Sequence, residues 1–82
     1  MNKHGVNLFT IQRVFNRLLD ISSQEKGVIK IDYSSVATSL ILTKSQFIQA
    51  IKNLSKSDYI EYIFDGDCLY FKITNIGMEY AK

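Results

Sequence analysis

The chain has 82 residues, 46% of them hydrophobic and 22% charged, with ten Lys and Arg against eight Asp and Glu for a net charge of +2. These proportions fit one ordinary globular domain and exclude a disordered chain; at this length only about 60–65% of the unfolded surface is buried, so the core is thin. One cysteine, Cys68, excludes an internal disulfide framework and fits a reducing compartment, and one histidine with one cysteine cannot supply the four ligands of a structural zinc site.

A single domain is expected over residues 1–82, with 1–7 as a flexible N-terminal segment. No apolar region of signal-peptide length follows Met1-Asn2-Lys3. The longest purely aliphatic run, Leu40-Ile41-Leu42, is far short of the roughly 20 residues that cross a bilayer. The expectation is a soluble, cytoplasmic protein with no membrane partner.

Leu8, Ile11, Val14, Phe15, Leu18 and Leu19 recur at helical spacing and predict a helix over residues 8–21 that buries this stripe, with Arg13, Asn16, Arg17 and Asp20 on the other face. Phe9 falls on the side opposite the stripe and is expected as a partly exposed aromatic or as a partner surface. The polar run Ser22-Ser23-Gln24-Glu25-Lys26-Gly27 ends the helix, with Gly27 suited to a left-handed turn.

Val28-Ile29-Lys30-Ile31 is β-branched and reads as a brief strand. Asp32 or Ser34 then caps a second helix through Ser35 to Leu40. Ile41-Leu42-Thr43 connects to a third helix over about Lys44–Lys56, with Thr43 as its cap and Phe47, Ile51 and Leu54 as its buried stripe. Ile48 lies at the edge of that stripe, where packing is its expected role and contact with a thymine methyl the alternative. Two strands, Tyr59–Phe64 and Cys68–Thr74, flank Asp65-Gly66-Asp67, and Asp-Gly between two β-rich runs is a strong local hairpin signal. Thr74-Asn75 is placed to cap a last short helix through Tyr80.

The order helix, strand, helix, helix, hairpin, short helix resembles the winged helix-turn-helix superfamily over residues 8–80. The resemblance rests on the stretch from Ile31 to Leu54, with the small residue Ala37 inside the second helix, a short turn, the polar cap Thr43, and Phe47, Ile51 and Leu54. It extends to a hairpin, Tyr59–Thr74, in the position of the wing, and to Thr74-Asn75-Ile76-Gly77, similar to the Thr-x-x-Gly start of the family's closing helix. What the resemblance implies is an α+β fold: a three-helix core, a small antiparallel sheet forming one wing, and a short C-terminal helix. It also implies double-stranded DNA binding, with the third helix in the major groove.

Projected at about 100° per residue, Ser45, Gln46, Gln49, Lys52, Asn53 and Lys56 share one face of the third helix, which carries no acid. Gln and Asn pair with adenine edges, and Lys reaches guanine or phosphate. Arg13, Arg17, Lys44, Lys52 and Lys56 are the candidate phosphate contacts. Charge is uneven: residues 1–54 carry a net of +4 and residues 55–82 a net of −2. The expected wing tip, Asp65-Gly66-Asp67, departs from the basic wings that touch DNA and would repel phosphates.

Catalytic constellations are absent from the pattern, and no cofactor or metal is expected. Ser22-Ser23 and Ser34-Ser35 have only His4 as a possible base, and Asp65 with Asp67 suits a tight turn. Cys68 has no basic neighbour in the sequence to lower its pKa. The expectation is a DNA-binding protein rather than an enzyme, acting as a small transcriptional regulator or a phage or plasmid partition or replication accessory protein. A lone helix covers too few base pairs to select one site, so a homodimer is expected, through Phe9 of the first helix or the Tyr80 region. The alternative is a protein-interaction module that keeps the scaffold and meets a protein partner with its acidic wing.

Overall fold

In the computed structural model, which describes residues 7–24 and 27–81, the elements follow as α1 (Leu8–Ser22), β1 (Ile29–Asp32), α2 (Tyr33–Ser39), α3 (Lys44–Lys56), β2 (Ile60–Asp65), β3 (Cys68–Ile73) and α4 (Asn75–Ala81). This is an α+β fold with a three-stranded antiparallel sheet in the order β1-β3-β2. No helix among the described residues is long and apolar enough to cross a membrane. The expected flexible segment, His4 with it, lies outside the described residues except for Asn7. That residue belongs to the fold: its side chain accepts from the Thr10 amide at 2.8 Å and caps α1. Glu25 and Lys26 of the first loop also lie outside the described residues.

Each helix starts where a side chain can satisfy the orphan amides of its first turn. Asp32, rather than Ser34, caps α2 through the Ser34 and Ser35 amides. Thr43 caps α3 in a reciprocal box, accepting from the Gln46 amide at 3.0 Å while Gln46 Oε1 accepts from the Thr43 amide at 2.9 Å. Thr74 Oγ1 accepts from the Gly77 amide at 3.0 Å and caps α4, and the same hydroxyl donates to the Asp58 carbonyl.

The ends of α2 and α3 use one device. The Leu42 amide reaches back to the Ala37 carbonyl and the Ile41 amide to Thr38, while Tyr59 and Asp58 repeat the pattern on Leu54 and Ser55. Both are Schellman motifs, which place the residue after the cap in the left-handed region. Asp58 tolerates that region at φ +64°, but Ile41, β-branched and 89% exposed, is held there at φ +59°.

Register sends one face of the sheet inward. Ile29 pairs with Phe71, Ile31 with Leu69, Tyr62 with Phe71 and Ile60 with Ile73, and these meet the inner side of α3, where Phe47, Ala50, Ile51 and Leu54 are buried. Val14, Phe15 and Leu18 of α1 complete the core. The hairpin turn is shifted by one residue from the Asp-Gly reading. Asp65 pairs with Cys68, so Gly66 and Asp67 are the central residues, and Gly66 alone takes a positive φ (+59°), as in a type II′ turn.

Two expectations fail at the first helix and strand. Leu8 carries the periodicity of the buried stripe yet is 83% exposed, because the stripe runs one turn past the edge of the packed body, while Thr10 is buried instead. Val28 is exposed and precedes the strand, which begins at Ile29.

Gly77 is required for contact: a Cβ there would overlap the Tyr59 carbonyl oxygen and crowd Ile73. Gly77→Ala should therefore cost about 1–3 kcal/mol and perturb the stacked Tyr59–Tyr80 pair, read by chemical denaturation and by near-ultraviolet circular dichroism of the tyrosines. At Ile41 the prediction has the opposite sign. Relief of about 1–2 kcal/mol of left-handed strain outweighs the roughly 0.5–1 kcal/mol that glycine adds in unfolded-chain entropy, so Ile41→Gly should raise Tm in calorimetry.

Candidate nucleic-acid interface

Packing sorts the polar residues of α3. With the inner side buried, Ser45, Gln49, Lys52 and Lys56 at i, i+4, i+7 and i+11 form the outward line, about 16 Å long at 1.5 Å rise per residue. Ser45, Lys52 and Lys56 are exposed and Gln49 is half-buried; Lys44 is exposed at the first helical position. The whole helix holds three Lys and no Asp or Glu. An amide, a hydroxyl and cations on one line supply donors and acceptors for base edges and cations for phosphates. Ile48, half-buried, flanks this line.

Gln46 and Asn53 stand to one side and have work within the fold. Gln46 Oε1 closes the capping box, which holds this side chain back against the start of α3. The Asn53 side-chain amide donates to the Gln49 carbonyl at 2.9 Å.

Arg13 likewise has a structural task. Its Nη2 donates to the Leu40 carbonyl at 2.6 Å, at the C-terminus of α2, where a cation complements the helix dipole. The guanidinium carbon also lies 5.9 Å from the centre of the Phe9 ring. Arg17 is half-buried one turn further along α1.

The hairpin tip presents Asp65, Gly66 and Asp67, all exposed. Cys68 is half-buried between Asp32 and Asp65 in the sheet register. The Asp32 carboxylate is occupied in capping α2, and no group of metal-ligating side chains forms among the described residues. Ser22 and Ser23 donate to the Leu19 and Asp20 carbonyls at the end of α1, and Ser34 and Ser35 sit in the first turn of α2.

A second feature was not legible in the sequence. Leu8, Phe9, Ile11 and Phe15 of α1, with Tyr59 and with Tyr80 of α4, line a cleft of about 500 Å³, closed at the α3 end by Asn53 and Ser57. Its floor is aromatic: Tyr59 stacks on Tyr80 at 4.4 Å, and Phe15 lies 5.7 and 5.8 Å from the two tyrosines. Tyr80 Oη is bonded to Gln12 Oε1 at 3.2 Å. Phe9 and Tyr80, expected as alternative dimer contacts, thus border one cleft. The only signal available beforehand was Phe9 on the polar side of an amphipathic helix.

No family model, no curated protein and no solved structure matches this chain.

The two glutamines of α3 should separate in a stability measurement. Gln46→Ala removes half of the capping box and should lower unfolding free energy by about 1 kcal/mol, whereas Gln49→Ala should stay within about 0.5 kcal/mol of wild type. Urea titrations of the two variants provide the comparison.

Proposed function

We propose that this chain is a winged helix-turn-helix domain that binds double-stranded DNA with α3 in the major groove, as a small regulator of transcription or an accessory of partition or replication. The observation that carries the reading is the acid-free outward line of α3, Ser45, Gln49, Lys52 and Lys56, presented opposite a fully packed inner side. The element order and the β1-β3-β2 sheet support it, as does the short turn from Leu40 to Thr43 that holds α2 against α3. In this reading Gln49 reads a base edge, while Lys44, Lys52, Lys56 and Arg17 contact phosphates. Gln46 and Arg13 hold the unit in shape. The β2–β3 hairpin is the wing.

A second reading, a protein-interaction module, is favoured by one observation: the wing tip is acidic. Asp65 and Asp67 would repel a phosphate backbone within about 8 Å, the Debye length at physiological salt, and would attract a basic protein surface.

Anisotropy titration of random duplex DNA at low salt and again near 200 mM separates the two. Each neutralised phosphate contributes about 0.9 to the slope of log K against log salt. Lys52→Ala and Lys56→Ala should therefore each flatten the slope by about that amount, and Gln49→Ala should cost about 1–3 kcal/mol on a preferred site alone. Replacing Asp65 and Asp67 together by Lys should steepen the slope if the wing approaches the backbone. Absence of binding at low salt removes the DNA reading.

A further inference from the structure

We infer that the free edge of β2 takes an extended basic segment of another protein as a fourth strand of the sheet, in the pattern basic–x–apolar–x–basic. The backbone makes the site. Asp65 and Cys68 close a two-residue turn and so form a hydrogen-bonded pair. Bonded and non-bonded pairs then alternate down the hairpin, and the Thr74 amide, donating to the Tyr59 carbonyl at 3.0 Å, keeps the same phase at its base. Asp65, Ile63 and Glu61 therefore spend their backbone groups on β3, while the N–H and C=O groups of Tyr62 and Phe64 point away from it.

The sheet order β1-β3-β2 makes β2 an outer strand, and among the described residues no backbone group from outside the sheet bonds to Tyr62 or Phe64. Six successive pairs, from Ile60 to Asp65, run without a bulge, and the strand contains neither Pro nor Lys. These are the devices that ordinarily close a strand edge to newcomers. The other edge, β1, is only four residues long and carries Lys30.

Side chains along β2 select the occupant. A strand bonded to Tyr62 and Phe64 sets its own side chains opposite Glu61, Ile63 and Asp65 at non-hydrogen-bonded positions, where cross-strand side chains lie closest. Ile63 is 68% exposed, and Val28, Tyr70 and Lys72 line a hollow of about 260 Å³ with it. In strand addition the main-chain bonds supply affinity and such recesses choose side chains, so the residue opposite Ile63 is apolar. Residues 58–67 hold four acids, Asp58, Glu61, Asp65 and Asp67, and no Lys or Arg. Glu61 faces Lys72 across the hairpin, whereas Asp65 faces Cys68. The positions flanking the apolar residue thus meet carboxylates, and opposite charges there stabilise pairing.

The same acids count against other occupants. They repel a phosphate backbone, and a second copy paired antiparallel about Ile63 would set Glu61 directly against Asp65, a destabilising like-charge pair. The inference rests on the protein-interaction reading, to which it adds the conformation and pattern of the partner. It uses no residue of α3, so DNA binding is neither required nor precluded.

The test is titration of isotope-labelled protein with the blocked peptide Gly-Thr-Lys-Val-Ile-Val-Lys-Thr-Gly, followed by nuclear magnetic resonance. With free peptide at about ten times its Kd, hydrogen exchange of the Tyr62 and Phe64 amides should slow about tenfold. N-methylation of both Val residues of the peptide keeps its charge but removes the donors that would meet the edge, and should abolish binding. Glu in place of both Lys of the peptide, or Asp65→Lys at an exposed position of the protein, should weaken binding about fivefold. Charge-dependent binding that survives N-methylation overturns strand addition and leaves the protein-interaction reading standing. No binding at millimolar peptide overturns both. Equal binding of the Glu peptide, or protection of the same amides by raising protein concentration alone, overturns the assignment of the partner.

Discussion

Burial of the inner side of α3 is the contact on which the rest of this protein depends. Phe47, Ala50 and Ile51 are fully excluded from solvent and Leu54 nearly so, and α1, α2 and β2 all pack on this one helix. Each large apolar side chain contributes about 1.5–3 kcal/mol on burial, so a few such residues account for much of what a small domain has. A helix used this way has one side left. Its outward line is therefore left facing away from the core, and in the DNA-binding reading its amide, hydroxyl and lysines, without a carboxylate, are what meets the duplex.

The turn between α2 and α3 is held from outside as well as from within. Its backbone closes in a Schellman motif that puts Ile41 in a conformation β-branched residues avoid, while Arg13 reaches across from α1 to the Leu40 carbonyl. Arg13 also supports the Phe9 ring. One side chain thus ties the position of the α2–α3 turn to the exposed aromatic of α1. The geometry of the outward line of α3 and that of the α1–α4 cleft share a support.

Three lysines lie along α3, while Asp65 and Asp67 project at the hairpin tip. In the DNA-binding reading this confines attraction to α3 and makes the hairpin a source of repulsion rather than grip. A single such domain would then have a small electrostatic footprint, which is why association of two copies matters to that reading.

Element order, the caps at Thr43 and Thr74, and the inner stripe of α3 were legible in the sequence by itself. These follow from period, turn chemistry and local hydrogen bonding, all settled within a few residues of chain. The boundaries of β1 and the hairpin moved by one residue because strand ends are set by cross-strand partners such as Phe71 and Cys68, distant in sequence. What only the tertiary structure decided was which members of a pattern are used for what. Leu8 has the spacing of a core residue but nothing above it to be buried by; Gln46 and Arg13 have the chemistry of DNA contacts but are within reach of a backbone amide and a helix-terminal carbonyl. Gly77 is indispensable because the Tyr59 carbonyl passes against it, a contact no local rule contains. Period and composition describe one element at a time, whereas burial and hydrogen-bond commitment depend on which neighbour arrives from elsewhere in the chain.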